Sequence, residues 1–294
     1  MARAAFWGNA KVVAVAVLWI ALFAVVGVVA TVALVGIAGL AAGAVATKDP
    51  TPGGWDLAVS STLGVAGFAA ATWLVGRRLN GRSWVAMGWG EPRRLAARLG
   101  MGVALGAVMA GAAVGLAVLA GGAAVRLDPD AGTVVQVAPL AVGLLAAALA
   151  EELMFRGYPL RRLAEAVGPV GATAVLGVGF GVAHLGNPNV TALGTVNIGI
   201  AAVWLAAAFF SSGGMPLAWG LHFGWNAGLG LGFEAPVSGL TFDLPLVDYA
   251  PGGNGWIDGG AFGPEGGLVT TLVFSTGVLA LLAARRRRRA EDAA

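Results

Sequence analysis

The chain has 294 residues, 58% of them hydrophobic and only 11% charged, with a formal net charge of +3. Soluble domains carry about 25% charged residues, so the composition excludes an ordinary globular protein and predicts a polytopic membrane protein. There is no cysteine, which excludes disulfides, thiolate metal sites, iron–sulfur clusters and a cysteine nucleophile.

Arg3 and Lys11 precede a charge-free run from Val12 to Thr47. At about 1.5 Å per residue that run makes roughly 54 Å of helix, against a hydrocarbon core of about 30 Å. It far exceeds the apolar core of a signal peptide, so it is read as a retained span that tilts, protrudes or breaks. Eight spans are predicted in all, near residues 12–46, 55–76, 96–121, 135–156, 169–186, 190–211, 214–233 and 267–284. The fold class is therefore all-α, a transmembrane helical bundle, and the whole chain reads as one integral membrane domain. Its 48 glycines suit close helix packing in lipid. No internal repeat is visible.

Eight spans put both termini on one side. That side holds 16 of the 18 basic residues, including Arg77, Arg78, Arg82, Arg93, Arg94, Arg98, Arg161 and Arg162. The other side has only Lys48 and Arg126, together with Asp49, Asp56, Asp128, Asp130 and the loop from Glu234 to Glu265. The bias of basic residues predicts cytoplasmic termini. The tail from Arg285 to Arg289 reads as a stop signal for the last span that also touches anionic lipid; no nucleic-acid partner is expected. The Gly- and Pro-rich loop 234–266 is long for an unstructured connection. It reads as a lid or as a solvated connection, and the latter is the plainer expectation.

Chemistry concentrates in three spans. The only two histidines, His184 and His222, both fall inside predicted spans. Ionisable groups at membrane depth are costly and point to function. The breaker Gly168-Pro169 separates spans four and five, with Glu151 17 residues before Gly168 and His184 16 after it. An antiparallel hairpin would bring both to one level, if 157–167 continues span four with a bend at Pro159. His222, about nine residues past the turn Ser211-Ser212-Gly213-Gly214, would reach a similar depth.

Adjacent helical residues point about 100° apart, so Glu151 and Glu152 cannot share one role. Arg156 is i+4 from Glu152 and suited to pair with it, which leaves Glu151 free as a general base. His222 and Asn226 share one face, and an asparagine amide suits a developing oxyanion. Phe180 and His184 repeat the same spacing. A base, two imidazoles and an amide in a membrane cavity suggest water activation and peptide hydrolysis. Glu151, His184 and His222 equally make a zinc ligand set with one open position. There is no HExxH helix, no GxSxG elbow and no phosphate-binding loop.

The segment EELMFRG at 151–157 resembles the EExxxR motif of the family of CAAX endopeptidases and bacteriocin-processing intramembrane proteases. FGVAHLGNP at 180–188 is similar to its FxxxH motif, and HFGWN at 222–226 to its HxxxN motif. The three stand in family order, and the similarity spans residues 135–233, the expected catalytic core. The resemblance implies an eight-helix intramembrane endopeptidase with a cavity open to the cytoplasm. Glu151 would be the base, helped by His184, while His222 and Asn226 stabilise the oxyanion or position water. Glu152, Arg156 and Phe180 would support them. The resemblance leaves open whether a divalent metal such as zinc takes part. The expected partner is a peptide or protein substrate in or at the membrane, and the Ala-, Gly- and Arg-rich composition suggests a bacterial membrane. Two other functions fit the same polar residues: a small-solute transporter, and a non-catalytic membrane partner of immunity or scaffold type.

Overall fold

The computed structural model describes residues 2–42, 53–128, 134–211, 213–244 and 246–291. The expected outer charges Lys48, Asp49 and Asp130 and the turn residue Ser212 lie outside them. In chain order the elements are α1 (Ala2–Ala42), α2 (Gly54–Ala71), continued to Leu79 as a π-helix, α3 (Pro92–Leu119) and β1 (Ala123–Asp128). Then come α4 (Val137–Phe155), α5 (Tyr158–Ala183), α6 (Ala192–Phe209), α7 (Gly214–Gly230) and β2 (Leu246–Pro251). A single turn, α8 (Gly255–Asp258), precedes α9 (Leu268–Glu291).

The fold is the expected bundle of apolar helices, and six helical stretches are long and apolar enough to cross a membrane. The first run does not break. Among the described residues α1 is one helix of 41 residues, about 62 Å long. Its Leu18, Val25 and Val32 are exposed, as befits a helix facing lipid.

Helix α7 lies at the centre, packed on α3, α4 and α6. Its sequence explains why. Gly220, Gly224 and Gly228 recur every fourth residue and form one face. That face meets Gly102 and Gly106 of α3, where the backbones touch: a Cβ on Gly102 would stand 2.6 Å from the Leu217 carbonyl oxygen. His222 sits two residues from Gly220, about 200° around the helix. One face of α7 therefore locks the bundle while the other points away from α3.

The connection between α4 and α5 differs from the expected bent helix. Helix α4 ends at Phe155, and Gly157 leaves helical geometry with ψ −112°. Pro159 falls in the first turn of α5, where its missing N–H costs nothing; it starts a helix rather than kinking one. The second expected break is present. Gly168 has φ 76° and ψ 162° and divides α5 before Pro169.

A two-stranded antiparallel ribbon, absent from the sequence reading, joins β1 to β2 with Val125 opposite Tyr249. It follows the C-terminus of α3, at the end of the bundle opposite Arg93 and Arg94 in the first turn of that helix. At the basic end, Arg82 and Arg162 both pair with Glu165, and Arg161 stacks over Phe209 and Phe210. Loop 234–266 is not a solvated connection: Ala235, Val237, Phe242, Leu244 and Phe262 are buried. Asn197 of α6 donates to the carbonyl oxygens of Glu265 and Gly267 at 2.7 and 2.9 Å.

Candidate active site

Three helices bring the polar residues together. Glu151 and Glu152 lie in the last turn of α4, His184 caps the C-terminus of α5, and His222 and Asn226 lie mid-way along α7. The level of Glu151 follows from the chain. His184 is 16 residues past Gly168, about 24 Å of helix, whereas Glu151 is only four residues from the end of α4. The two can meet only because residues 158–167 carry the chain on beyond α4 before Gly168 turns it back. They do meet: Glu151 Oε2 is 3.8 Å from His184 Nε2 and 3.7 Å from His222 Nε2.

The outer nitrogen of each imidazole is already committed. His184 Nδ1 lies 2.8 Å from the Phe180 carbonyl oxygen. His222 Nδ1 lies 3.0 Å from Glu152 Oε1. Carbonyl and carboxylate oxygens only accept, so both Nδ1 atoms carry the proton. Both Nε2 atoms therefore turn toward Glu151. Its side chain is 32% accessible, against 13% for His184 and 10% for His222.

Glu152 faces the other way and is fully buried. Its Oε1 also accepts from Arg156 Nη1 at 3.0 Å, confirming the i, i+4 pair. The Arg156 guanidinium lies 4.1 Å above the Phe180 ring, close enough for a cation–π contact. Phe180 in turn packs 4.6 Å from the His184 ring and meets Phe155 edge-to-face. Phe180 is thus more than packing, since its ring, its carbonyl and its neighbours orient three of the site's groups.

These residues line a cavity of about 320 Å³. Glu151, His184, His222 and Asn226 form one part of its wall, and Trp225, Val237, Ser238 and Glu265 another. Three features were not foreseen from sequence. The bond between His222 and Glu152 joins residues 70 apart, and no local spacing announces it. Asn197, one polar residue in an apolar span, has no spacing that marks it, yet the structure buries it fully. Glu265 sat in a Gly-rich loop read as solvated. Among the described residues, no three His, Asp or Glu side chains are arranged to hold a metal ion.

The chain is thus a helical membrane protein with a carboxylate and two imidazoles converging on one buried cavity. Residues 133–228 match the family described as type II CAAX prenyl endopeptidase Rce1-like. That matched segment supplies Glu151, His184, His222 and Asn226. No curated protein and no solved structure matches the chain.

Proposed function

We propose that the protein is an intramembrane endopeptidase in which Glu151 activates water. One observation carries the reading: three acceptor atoms, Glu151 Oε2 and the two Nε2 atoms, face one another at 3.7 to 3.8 Å. With both imidazoles neutral these atoms repel, and the spacing exceeds a direct hydrogen bond. A water that donates one O–H to Glu151 and the other to His184 Nε2 relieves two of them, and a proton on His222 Nε2 removes the third.

The steps follow from the protonation states. Glu151 takes a proton from water as its oxygen attacks the scissile carbonyl carbon, while His184 Nε2 accepts from the second O–H and fixes the direction of attack. The negative charge that develops on the carbonyl oxygen is met by the Asn226 amide and by the Nε2–H of His222, which enters the step already protonated on both nitrogens. Glu152 favours that imidazolium, as a carboxylate behind a histidine does in hydrolytic triads. The intermediate collapses with cleavage of the C–N bond. The proton held by Glu151 passes to the leaving nitrogen, and its carboxylate is restored.

The substrate class we infer is a membrane-associated peptide or protein, with lipidated CAAX-type termini as the first candidates. We also infer that the basic end of the bundle faces the cytoplasm and that Arg285–Arg289 meet anionic lipid there. Arg285 lines two crevices beside Phe210, which supports the lipid contact. The test is Glu151→Gln in detergent-purified protein, assayed on a fluorogenic peptide ending in a farnesylated CAAX box and on its unlipidated counterpart. A lost general base lowers turnover about 10² to 10⁴-fold with the melting temperature unchanged. Full activity in Glu151→Gln would sink the reading.

A further inference from the structure

One ionisable side chain beyond the family-matched segment lines the same cavity. Glu265 is 5% exposed, and every acceptor it offers is used. Oε1 accepts from Trp225 Nε1 at 3.0 Å. Oε2 accepts from the Ser238 backbone N–H and, at 2.9 Å, from the Ser238 hydroxyl. Three donors converge on one carboxylate, an arrangement that a neutral amide cannot satisfy, because its NH₂ would face a donor.

The carboxylate is not what holds its own backbone. Asn197 grips the carbonyls of Glu265 and Gly267, and Thr270 Oγ1 donates to the Pro264 carbonyl at 2.7 Å. On the other arm, Asn187 Nδ2 donates to the Ser238 carbonyl at 2.9 Å. What the carboxylate adds is the link between Ser238 and Trp225, and both line the cavity. Trp225 is three residues past His222 and next to Asn226.

We propose that Glu265 is a positioning residue of the active-site cavity: its carboxylate clasps residues 237–240 against Trp225 and so fixes the wall along which a substrate chain lies. The clasp itself stands on geometry alone; its effect on substrate rests on the protease reading.

The chain has no cysteine, so Val237→Cys supplies a single reporter thiol at a position that lines the cavity and is 5% exposed. N-ethylmaleimide should modify that thiol at least fivefold faster when Glu265→Gln is added, with both proteins folded by size-exclusion and thermal melting. A smaller increase overturns the clasp. Should Glu265→Gln fail to fold, Trp225→Phe removes one donor from the other side and must speed labelling by the same criterion. On the farnesylated reporter peptide, Glu265→Gln should raise KM at least fivefold with kcat within twofold. A fall in kcat with KM unmoved, the mark of a merely destabilised fold, overturns the proposal. If wild-type protein cleaves no peptide, the protease reading fails while the labelling rates still decide the clasp.

Discussion

Replacing Glu152 by glutamine removes a charge that two other groups depend on. The carboxylate is fully buried and accepts from Arg156 Nη1 and His222 Nδ1, each at 3.0 Å. The Arg156 side chain is 3% accessible, so the variant leaves a cation in a poorly hydrated site without its counter-charge. Breaking a buried pair from one side costs about 3–5 kcal/mol. The glutamine oxygen still accepts one of the two bonds, and the Phe180 face still holds the guanidinium, worth about 1–2 kcal/mol when desolvated. A net loss of about 3 kcal/mol follows. For a chain of this size 1 kcal/mol moves the melting temperature by about 2 °C, so thermal unfolding in detergent should fall by about 6 °C. Turnover should fall too, by about 10² or more, because His222 loses the acceptor that fixes its proton on Nδ1. Glu151→Gln separates cleanly from it, losing activity at full stability. A Glu152→Gln protein with both melting temperature and turnover intact would refute the assignment of Glu152 as the shared anchor of Arg156 and His222.

Four further outcomes follow from the geometry. Gly224→Ala places a methyl group against the α3 backbone, where its Cβ would stand 2.8 Å from Val103 C and Cα; overpacking of this kind costs about 1–3 kcal/mol, read as a lower detergent melting temperature. Asn197→Leu removes both donors to the Glu265 and Gly267 carbonyls and orphans the Thr271 hydroxyl, and faster trypsin-independent cleavage of loop 234–266 by a broad-specificity protease should report it. If Glu151 activates water unaided, exhaustive chelation should leave turnover of the reporter peptide within twofold; near-stoichiometric zinc by elemental analysis, lost in His184→Ala, would contradict this. Burial holds the Tyr249 hydroxyl above its usual range, with the neighbouring Asp258 adding to the shift. A raised folded-state pKa on an acid means the stability it contributes is present below the unfolded value near 10 and is lost as pH rises past it. Unfolding of the wild type should therefore ease above about pH 10, and Tyr249→Phe should flatten that limb.

Most of the candidate site was legible because helical periodicity is short-range. Glu152 with Arg156, His222 with Asn226 and Phe180 with His184 are all i, i+4 pairs, and each shares a helix face in the structure. The common level of Glu151 and His184 was legible from residue counts around Gly168, although the path was wrong. A proline two residues after a glycine reads equally as a kink inside a helix or as the first turn of a new one, and only the ψ of Gly157 separates these. The Glu152–His222 bond, the β1–β2 ribbon and the packing of loop 234–266 were not legible. Each pairs residues far apart in sequence, and none leaves a local pattern. The burial of Glu265 was hidden for a related reason, since a lone acid among glycines looks solvated until its donors are known.

The extent of the family match sharpens what that loop means for specificity. The matched segment ends at residue 228 and contains every group assigned to bond cleavage. The cavity does not end there. Val237, Ser238, Leu240, Glu265 and Phe274 also line it from beyond that segment, and Leu57 from before it. On the proposed reading, chemistry and selection occupy different stretches of one polypeptide. Trp225 joins them: it sits in the HFGWN motif beside Asn226, and its indole N–H ends on Glu265. Swapping the loop while keeping Trp225 and its acceptor should therefore change which peptides are cut without changing how. The measurable signature is a redistribution of KM among peptides at a constant kcat, and a uniform fall in kcat across all of them would show that the loop belongs to the catalytic machinery instead.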